Sequence, residues 1–237
     1  MIKRIYRTIF SLKIRMIISK VRVAIILFLY DLFPKQYLKP MNFWKNRHRN
    51  DANWVNGYKN SKNASYRKFF ISEIDETYSF ASYLELGCNC GPNLELILEK
   101  VPNAKYLGID INDFAISEGK RIFKFNENVD FVCSDFNEGL INIPDKNFDI
   151  VFSIYSLAYL PPDQLDLLIS QLIRISKKKI IIMEPMELDN IDSKLIYTMP
   201  EWKHNYLRYF NDISKFDIKI DHVNEGRMNC MATISFK

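Results

Sequence analysis

Tyr83-Leu84-Glu85-Leu86-Gly87-Cys88-Asn89-Cys90-Gly91 is the stretch on which the reading of this chain turns. An apolar run ends in two glycines that bracket small and polar residues. Pro92 follows, a residue tolerated in the first turn of a helix, and a helical pattern runs on from it to residue 100. Strand, tight loop and helix is the order in which an open α/β sheet presents a ligand loop. Gly87 and Gly91 permit close backbone approach and positive φ, and Asn89 tolerates the left-handed region better than most residues.

Outward from the loop, apolar runs alternate with helical patterns. Residues 82–86, 105–109, 129–133, 148–153 and 180–183 read as strands, and 92–100, 113–124 and 162–176 as helices. In the last of these Leu165, Leu168, Ile169, Leu172 and Ile173 share one face. This alternation predicts a parallel sheet covered on both sides. Residues 216–222 and 228–236 are too close for a helical crossover and read as a closing antiparallel hairpin. Upstream, 65–74 reads as a helix entering the first strand. The tips of strands one to four are where chemistry is expected: Glu85 to Gly91, Asp110, Ser134-Asp135-Phe136 and Ile154 to Tyr159.

Asp110 closes the second strand, 23 positions after Gly87, where a carboxylate accepts hydrogen bonds from ribose hydroxyls. A dinucleotide site fits less well. The spacing is Gly87-x-Asn89-x-Gly91 rather than G-x-G-x-x-G, Pro92 removes an amide donor from the helix start, and Glu85 would set negative charge beside a diphosphate. A cationic or zwitterionic ligand suits this acidic loop better.

The segment 83–91 resembles motif I of the class I S-adenosylmethionine-dependent methyltransferases, with Asn89 where Gly is common, and the similarity extends over about residues 65–237. The resemblance implies an α/β, Rossmann-like, seven-stranded, mostly parallel sheet with helices on both faces and a C-terminal antiparallel hairpin. It also implies S-adenosylmethionine as cofactor and S-adenosylhomocysteine as product. By it, Glu85, Gly87, Cys88, Asn89 and Gly91 surround the methionine moiety, and Asp110 binds the ribose. Ile111 lines the adenine pocket, Asp135 accepts from the adenine amino group, and Phe136 lies beside the ring. Ile154 and Tyr155 follow along the cofactor. Arg67, eighteen positions before Glu85, is a candidate partner for the cofactor carboxylate, and Tyr58 a second. Cys88 and Cys90 read as small loop-filling residues, and Asp149 as structural at a strand edge.

A sulfonium methyl is already activated, so transfer demands in-line placement, with a general base needed for a hydroxyl or protonated amine. Candidates for the base are His204, ranked first for its place in the irregular segment 187–215, then His222 and Glu184. Tyr155 is a candidate on the acceptor side, and Tyr159 reads as either core or acceptor wall. An exocyclic-amine base methyltransferase carries an Asp/Asn-Pro-Pro-Tyr/Phe loop after strand four, where this chain reads Ile154-Tyr155-Ser156-Leu157, so nucleic acid is disfavoured. The compact 187–215 insert favours a small molecule, sugar or cell-surface glycan precursor, methylated on O or N. A lipid or quinone, structured RNA, and a non-catalytic binding subunit of the same fold are the alternatives.

The formal charge of +5 conceals a split: residues 1–50 hold twelve basic residues and one acidic, and the remaining 187 hold 21 basic and 27 acidic. Residues 1–40 are thus a basic extension on a mildly acidic body at 41–237, whose cofactor-binding core is 65–186 and acceptor-side insert 187–215. The longest apolar run, 23–30, rises about 12 Å as a helix against a hydrocarbon core of roughly 30 Å, so it does not span. Ile2, Ile5, Ile9, Leu12, Met16 and Val23 fall in one sector, opposite Lys3, Arg4, Arg7, Arg15 and Arg22, with Ile14, Ile18 and Lys20 interrupting. This N-terminal helical extension is expected to contact an anionic membrane surface through residues 1–33, a second subunit of a homo-oligomer, or the body itself. The four cysteines lack disulfide or zinc spacing, so no metal is expected. Reduced thiols place the protein in the cytoplasm, at the inner face of the membrane if the extension binds there.

Overall fold

The central strand, β1 (Ser82–Leu86), buries Tyr83, Leu84 and Leu86 completely, as a parallel strand covered on both faces must. A computed structural model describes residues 40–47, 53–74, 81–189, 194–196, 201–225 and 228–237. The amphipathic extension expected over residues 1–40 lies, but for Pro40, outside the described residues.

Among the described residues, three short helices precede β1: α1 (Pro40–Lys45), α2 (Trp54–Asn60) and α3 (Arg67–Ser72). From β1 onward come α4 (Pro92–Lys100), β2 (Lys105–Asp110), α5 (Asp113–Ile122), β3 (Val129–Cys133), α6 (Phe136–Leu140) and β4 (Phe148–Ile154). Then follow α7 (Pro162–Ile175), β5 (Ser176–Glu184), β6 (Lys194–Ile196), β7 (Glu201–Lys203), β8 (Phe216–Glu225) and β9 (Met228–Phe236).

Seven strands form one sheet in the order β3-β2-β1-β4-β5-β9-β8. The first five are parallel to one another, while β9 runs antiparallel to both β5 and β8. This is the expected Rossmann-like arrangement with its closing hairpin. The chain moves outward from β1 to β3 and then crosses to β4, so a crevice opens at the carboxyl ends of β1 and β4. Register aligns the tips: Glu85 pairs with Gly108 and Phe152, and Asp110 with Cys133.

Each face of the sheet carries its own core. One holds Leu84, Leu86 and Val151 against Leu165, Leu168 and Leu172 of α7; the other holds Tyr83, Phe152 and Phe131 against Phe70 and Leu94. Each fully buried leucine contributes about 1.5–3 kcal/mol. Asp149 ties the sheet edge as expected, accepting from Ser82 N at 2.9 Å and Ser82 Oγ at 2.8 Å.

The structure departs from the sequence reading at element ends. β5 starts at Ser176, directly after α7, because Ser176 already pairs with Phe148 of β4; the register shifts at the exposed Lys177 and Lys178 and resumes at Lys179 with Ile150. α5 stops at Ile122, two residues short of expectation, and α3 is confined to Arg67–Ser72. The irregular 187–215 region contains an antiparallel ribbon, β6 with β7, and a 3₁₀ turn, Tyr206–Phe210.

Candidate active site

The loop after β1 turns through three left-handed residues: Gly87 at φ 77°, Asn89 at φ 50° and Gly91 at φ 87°. Gly87 is required for space as well as conformation, since an added Cβ would lie 1.9 Å from Ser156 Oγ in the turn after β4. Cys88 and Cys90 are buried. Desolvation pushes the Cys88 thiol well up and Cys90 to about 11, so both are uncharged packing groups. Among the described residues no three His, Cys, Asp or Glu side chains come together to hold a metal ion.

One end of the crevice is a buried polar chain. Glu85 Oε1 accepts from Asn93 Nδ2 at 2.6 Å, and Glu85 Oε2 accepts from the Tyr106 hydroxyl. Asn93 Oδ1 in turn accepts from Arg67, whose Nε donates to Ser61 O at 2.8 Å. Burial raises the Glu85 carboxyl to about 7, while Tyr106, Asn93 and the Arg67 charge pull it back. Arg67 thus reaches the loop through Asn93, in the first turn of α4. Sequence reading passed over Asn93.

The other end is built on β2. Asp110 Oδ2 accepts from Asn89 N and Oδ1 from Asn112 N, both at 2.9 Å. Burial raises its carboxyl pKa, against those amides. Asn112 has a double task. Its Oδ1 caps α5 through Ala115 N at 2.9 Å, and its Nδ2 donates to Trp44 O at 2.8 Å and Arg47 O at 2.9 Å. The end of α1 is thereby fastened over the crevice, a role the sequence reading missed. Asp135 caps α6, accepting from Asn137 N at 2.9 Å. Its second oxygen stays available to the cavity that Asp135, Phe136 and Ile111 all line.

These elements enclose a cavity of about 450 Å³, within the range usual for small-molecule sites. It brings together nearly every predicted site residue: Arg67, Glu85, Gly87, Cys88, Asn89, Asp110, Ile111, Asp135, Phe136, Ile154 and Tyr155, with Tyr58 and Tyr159 also on its wall. Gly91 stands behind the wall as the N-cap of α4.

The base candidates are not at the cavity. His204 is fully buried, its Nε2 donates to Leu160 O at 3.1 Å, and desolvation lowers it to about 4. Its ring lies between Trp202 and Tyr206, fixing the insert against the turn after β4. The structure thus places His204, the first-ranked base candidate, away from the cavity, with a ring nitrogen on a backbone carbonyl inside the protein. Glu184 is likewise interior, accepting from Ser153 Oγ, Ser156 N and Leu157 N at 2.8, 2.8 and 3.0 Å, with burial raising its pKa to about 7. His222 is exposed on β8, its Nδ1 3.7 Å from Cys230 Sγ.

What the insert does bring is Glu201. This buried carboxylate on β7 accepts from the Tyr155 hydroxyl at 3.0 Å and the Tyr159 hydroxyl at 3.2 Å. Tyr155 holds φ 56°, an uncommon conformation for an aromatic residue and one that clusters at functional sites. Trp44 packs on Tyr159 with ring centroids 4.9 Å apart.

Residues 84–179 match the family described as a methyltransferase domain. The malonyl-[acyl-carrier protein] O-methyltransferase 2 of Ilyobacter polytropus is 32% identical over 84 residues, covering 35% of this chain and 30% of that protein. Phosphoethanolamine N-methyltransferase 1 of Arabidopsis thaliana is 28% identical over 96 residues, covering 40% of this chain and 19% of that protein. The chain therefore matches less than a third of the length of either curated relative. Among solved structures, the 1,6-didemethyltoxoflavin-N1-methyltransferase of Burkholderia thailandensis, with bound 1,6-didemethyltoxoflavin and S-adenosylhomocysteine, shares the fold. Its TM-score is 0.56 at 13% identity, over 78% of this chain and 84% of that one.

Proposed function

We propose that this chain, which carries a class I S-adenosylmethionine-dependent methyltransferase domain, binds S-adenosylmethionine in the β1/β4 crevice and methylates an oxygen or nitrogen of a small molecule. A sugar or cell-surface glycan precursor is the acceptor class we favour. The carrying observation is the polar frame of the cavity: the Glu85–Asn93–Arg67 chain at one end and the amide-held Asp110 at the other.

The donor set fits the cofactor. Glu85 supplies negative potential for a sulfonium and an ammonium, and Arg67 positive potential for a carboxylate. Asp110, with both oxygens fixed by amides, keeps lone pairs for a ribose diol. Ile111 and Phe136 offer apolar faces to a purine, and Asp135 an acceptor for its amino group. Trp44 Nε1 is buried with no hydrogen-bond partner among the described residues, a donor that a bound molecule would satisfy.

When bound, the cofactor supplies a methyl group already activated by the sulfonium charge. The chain's own task is to orient and exclude water. Gly87 lets the loop close on Ser156, Asn112 holds α1 across the opening, and the Tyr155/Tyr159 wall receives the acceptor. The curated relatives are named for an O- and an N-methylation, so both acceptor atoms stay within the reading.

Calorimetric titration with S-adenosylmethionine and S-adenosylhomocysteine tests it. Binding to the wild type is expected, with a loss of roughly 10–100-fold in Asp110→Ala, the worth of hydrogen bonds to a charged group. Absence of binding, or equal affinity in the variant, would favour a non-catalytic subunit of the same fold. Transfer of a labelled methyl group into metabolite extracts then identifies the acceptor.

A further inference from the structure

We infer that Glu184, at the carboxyl end of β5, is a positioning residue: its side chain holds the turn after β4 in the shape by which that turn walls the cavity and meets Gly87. The inference rests on the methyltransferase reading above and assigns to that site a residue that does not itself line it.

A chain that leaves a strand inside a protein carries amides that must still find acceptors. β4 ends at Ile154, and Tyr155 at φ 56° breaks its extended path. Tyr155 N still reaches the backbone of β5, at Met183 O, 2.9 Å away. The next three amides enter a 3₁₀ turn, Leu157–Tyr159, where no earlier carbonyl of the turn is placed to receive them. All three end on Glu184, the next residue of β5. Ser156 N and Leu157 N donate to Oε1 at 2.8 and 3.0 Å, and Ala158 N to Oε2 at 3.3 Å. Ser153 Oγ adds a fourth donor, to Oε1 at 2.8 Å. Leu157, Ala158 and Glu184 are fully buried, so bulk water does not stand in for the carboxylate.

The clamp reaches the cavity through the residues it holds. Tyr155, Ser156, Tyr159 and Leu160 line the wall, and Ser156 Oγ stands 1.9 Å from where a Cβ on Gly87 would fall, so turn and cofactor loop are in contact. The carbonyl end of the turn has its own anchor, His204 Nε2 on Leu160 O at 3.1 Å. Weakening Glu184 therefore frees the amide end, which carries Ser156, without releasing the whole turn. Ser153 is different. It sits in the ladder, paired with Leu86 of β1 and Ile182 of β5, and needs no carboxylate to stay in place.

The test compares Glu184→Gln with Ser153→Ala in the full chain, at a pH above the value of about 7 to which burial raises the Glu184 carboxyl. Glutamine keeps the volume but turns one acceptor oxygen into a donor that must face an amide N–H. Hydrogen exchange at amides 156–158 is expected to quicken at least about tenfold relative to the β1 amides 83–85, which report global unfolding. Calorimetric affinity for S-adenosylhomocysteine should fall about tenfold, the difference between hydrogen bonds to a charged and to a neutral acceptor. Ser153→Ala removes a donor to the same carboxylate from outside the turn, so it should lower stability and leave exchange ratio and affinity at the wild-type values. A role in packing alone would make the two variants alike, with stability lowered and neither ratio nor affinity moved. Should Glu184→Gln fail to fold, Glu184→Asp keeps the charge but draws it back by one methylene, and must show the same two changes. A wild-type exchange ratio or affinity in the Glu184 variant that folds, or an equal loss of affinity in Ser153→Ala, overturns the inference. Failure of wild type to bind S-adenosylhomocysteine overturns the underlying function instead, while the exchange ratio, which needs no ligand, still decides whether Glu184 holds the turn.

Discussion

Gly87→Ala probes the joint where the cofactor loop meets the turn after β4. At φ 77° an L-residue with a Cβ pays about 1–2 kcal/mol. The new methyl would also lie 1.9 Å from Ser156 Oγ and 2.4 Å from Ser156 Cβ. Ser156 cannot simply retreat, because its amide and that of Leu157 are fixed on the buried Glu184 at 2.8 and 3.0 Å. Overpacking of this kind costs about 1–3 kcal/mol. The sum, about 2–5 kcal/mol, leaves a folded protein whose melting temperature drops by roughly 5–15 °C at this chain length. Urea unfolding and calorimetry measure it. Two companions separate the contributions. Ser156→Gly in the Gly87→Ala background removes both colliding atoms and should restore about 1–3 kcal/mol, leaving the conformational part. Gly57→Ala, in the middle of α2 with nothing within 4 Å of the new methyl, should stabilise by about 1 kcal/mol. If Gly87→Ala unfolds within about 0.5 kcal/mol of wild type, or Ser156→Gly restores nothing, the joint is not as described.

Further outcomes follow from the site. Burial raises Glu85 to about 7, so the native state holds a proton that the unfolded chain releases near 4.5. Glu85 and Glu184, both raised to about 7, should make the ligand-free protein less stable as pH climbs from about 4.5 to about 7. His204, whose lowering to about 4 acts in the opposite direction, offsets part of this. The part of the urea-measured slope that Glu85→Gln removes is the Glu85 share. Over the same range affinity for the cationic cofactor should rise as Glu85 ionises, and Glu85→Gln should flatten that rise in calorimetry. Asn112→Ala should cost about 1 kcal/mol through the lost cap of α5 and, by releasing α1, speed hydrogen exchange at residues 44–47. Unchanged exchange there would show that α1 is held by other contacts.

The sheet was legible because its strands are apolar runs closed by punctuating residues: Gly87 after β1, Asp110 at the end of β2, Ser134-Asp135 after β3. The cofactor side was legible for the same reason, since its residues sit at strand tips whose order the topology dictates. The acceptor side was not. Glu201 meets partners 46 and 42 positions away, and Asn112 holds a backbone 65–68 positions upstream, separations that no local pattern encodes. His204 was chosen for its segment, but which way an imidazole faces depends on packing, and here it faces Leu160 O. The start of β5 was misplaced because Ser176 pairs with Phe148 and Lys179 with Ile150, while the exposed Lys177 and Lys178 lie at the register shift between them, an irregularity with no apolar pattern to announce it.

The fastening of α1 by Asn112 has a kinetic corollary. Trp44 and Arg47 belong to the same wall as the loop after β1, and the carbonyls of both are tethered to the side chain that caps α5. Opening the cavity on that side breaks two hydrogen bonds, each worth about 1 kcal/mol net. Loosening that one asparagine should speed, by up to about thirtyfold for two such bonds, the exchange of any molecule that enters or leaves the cavity past α1.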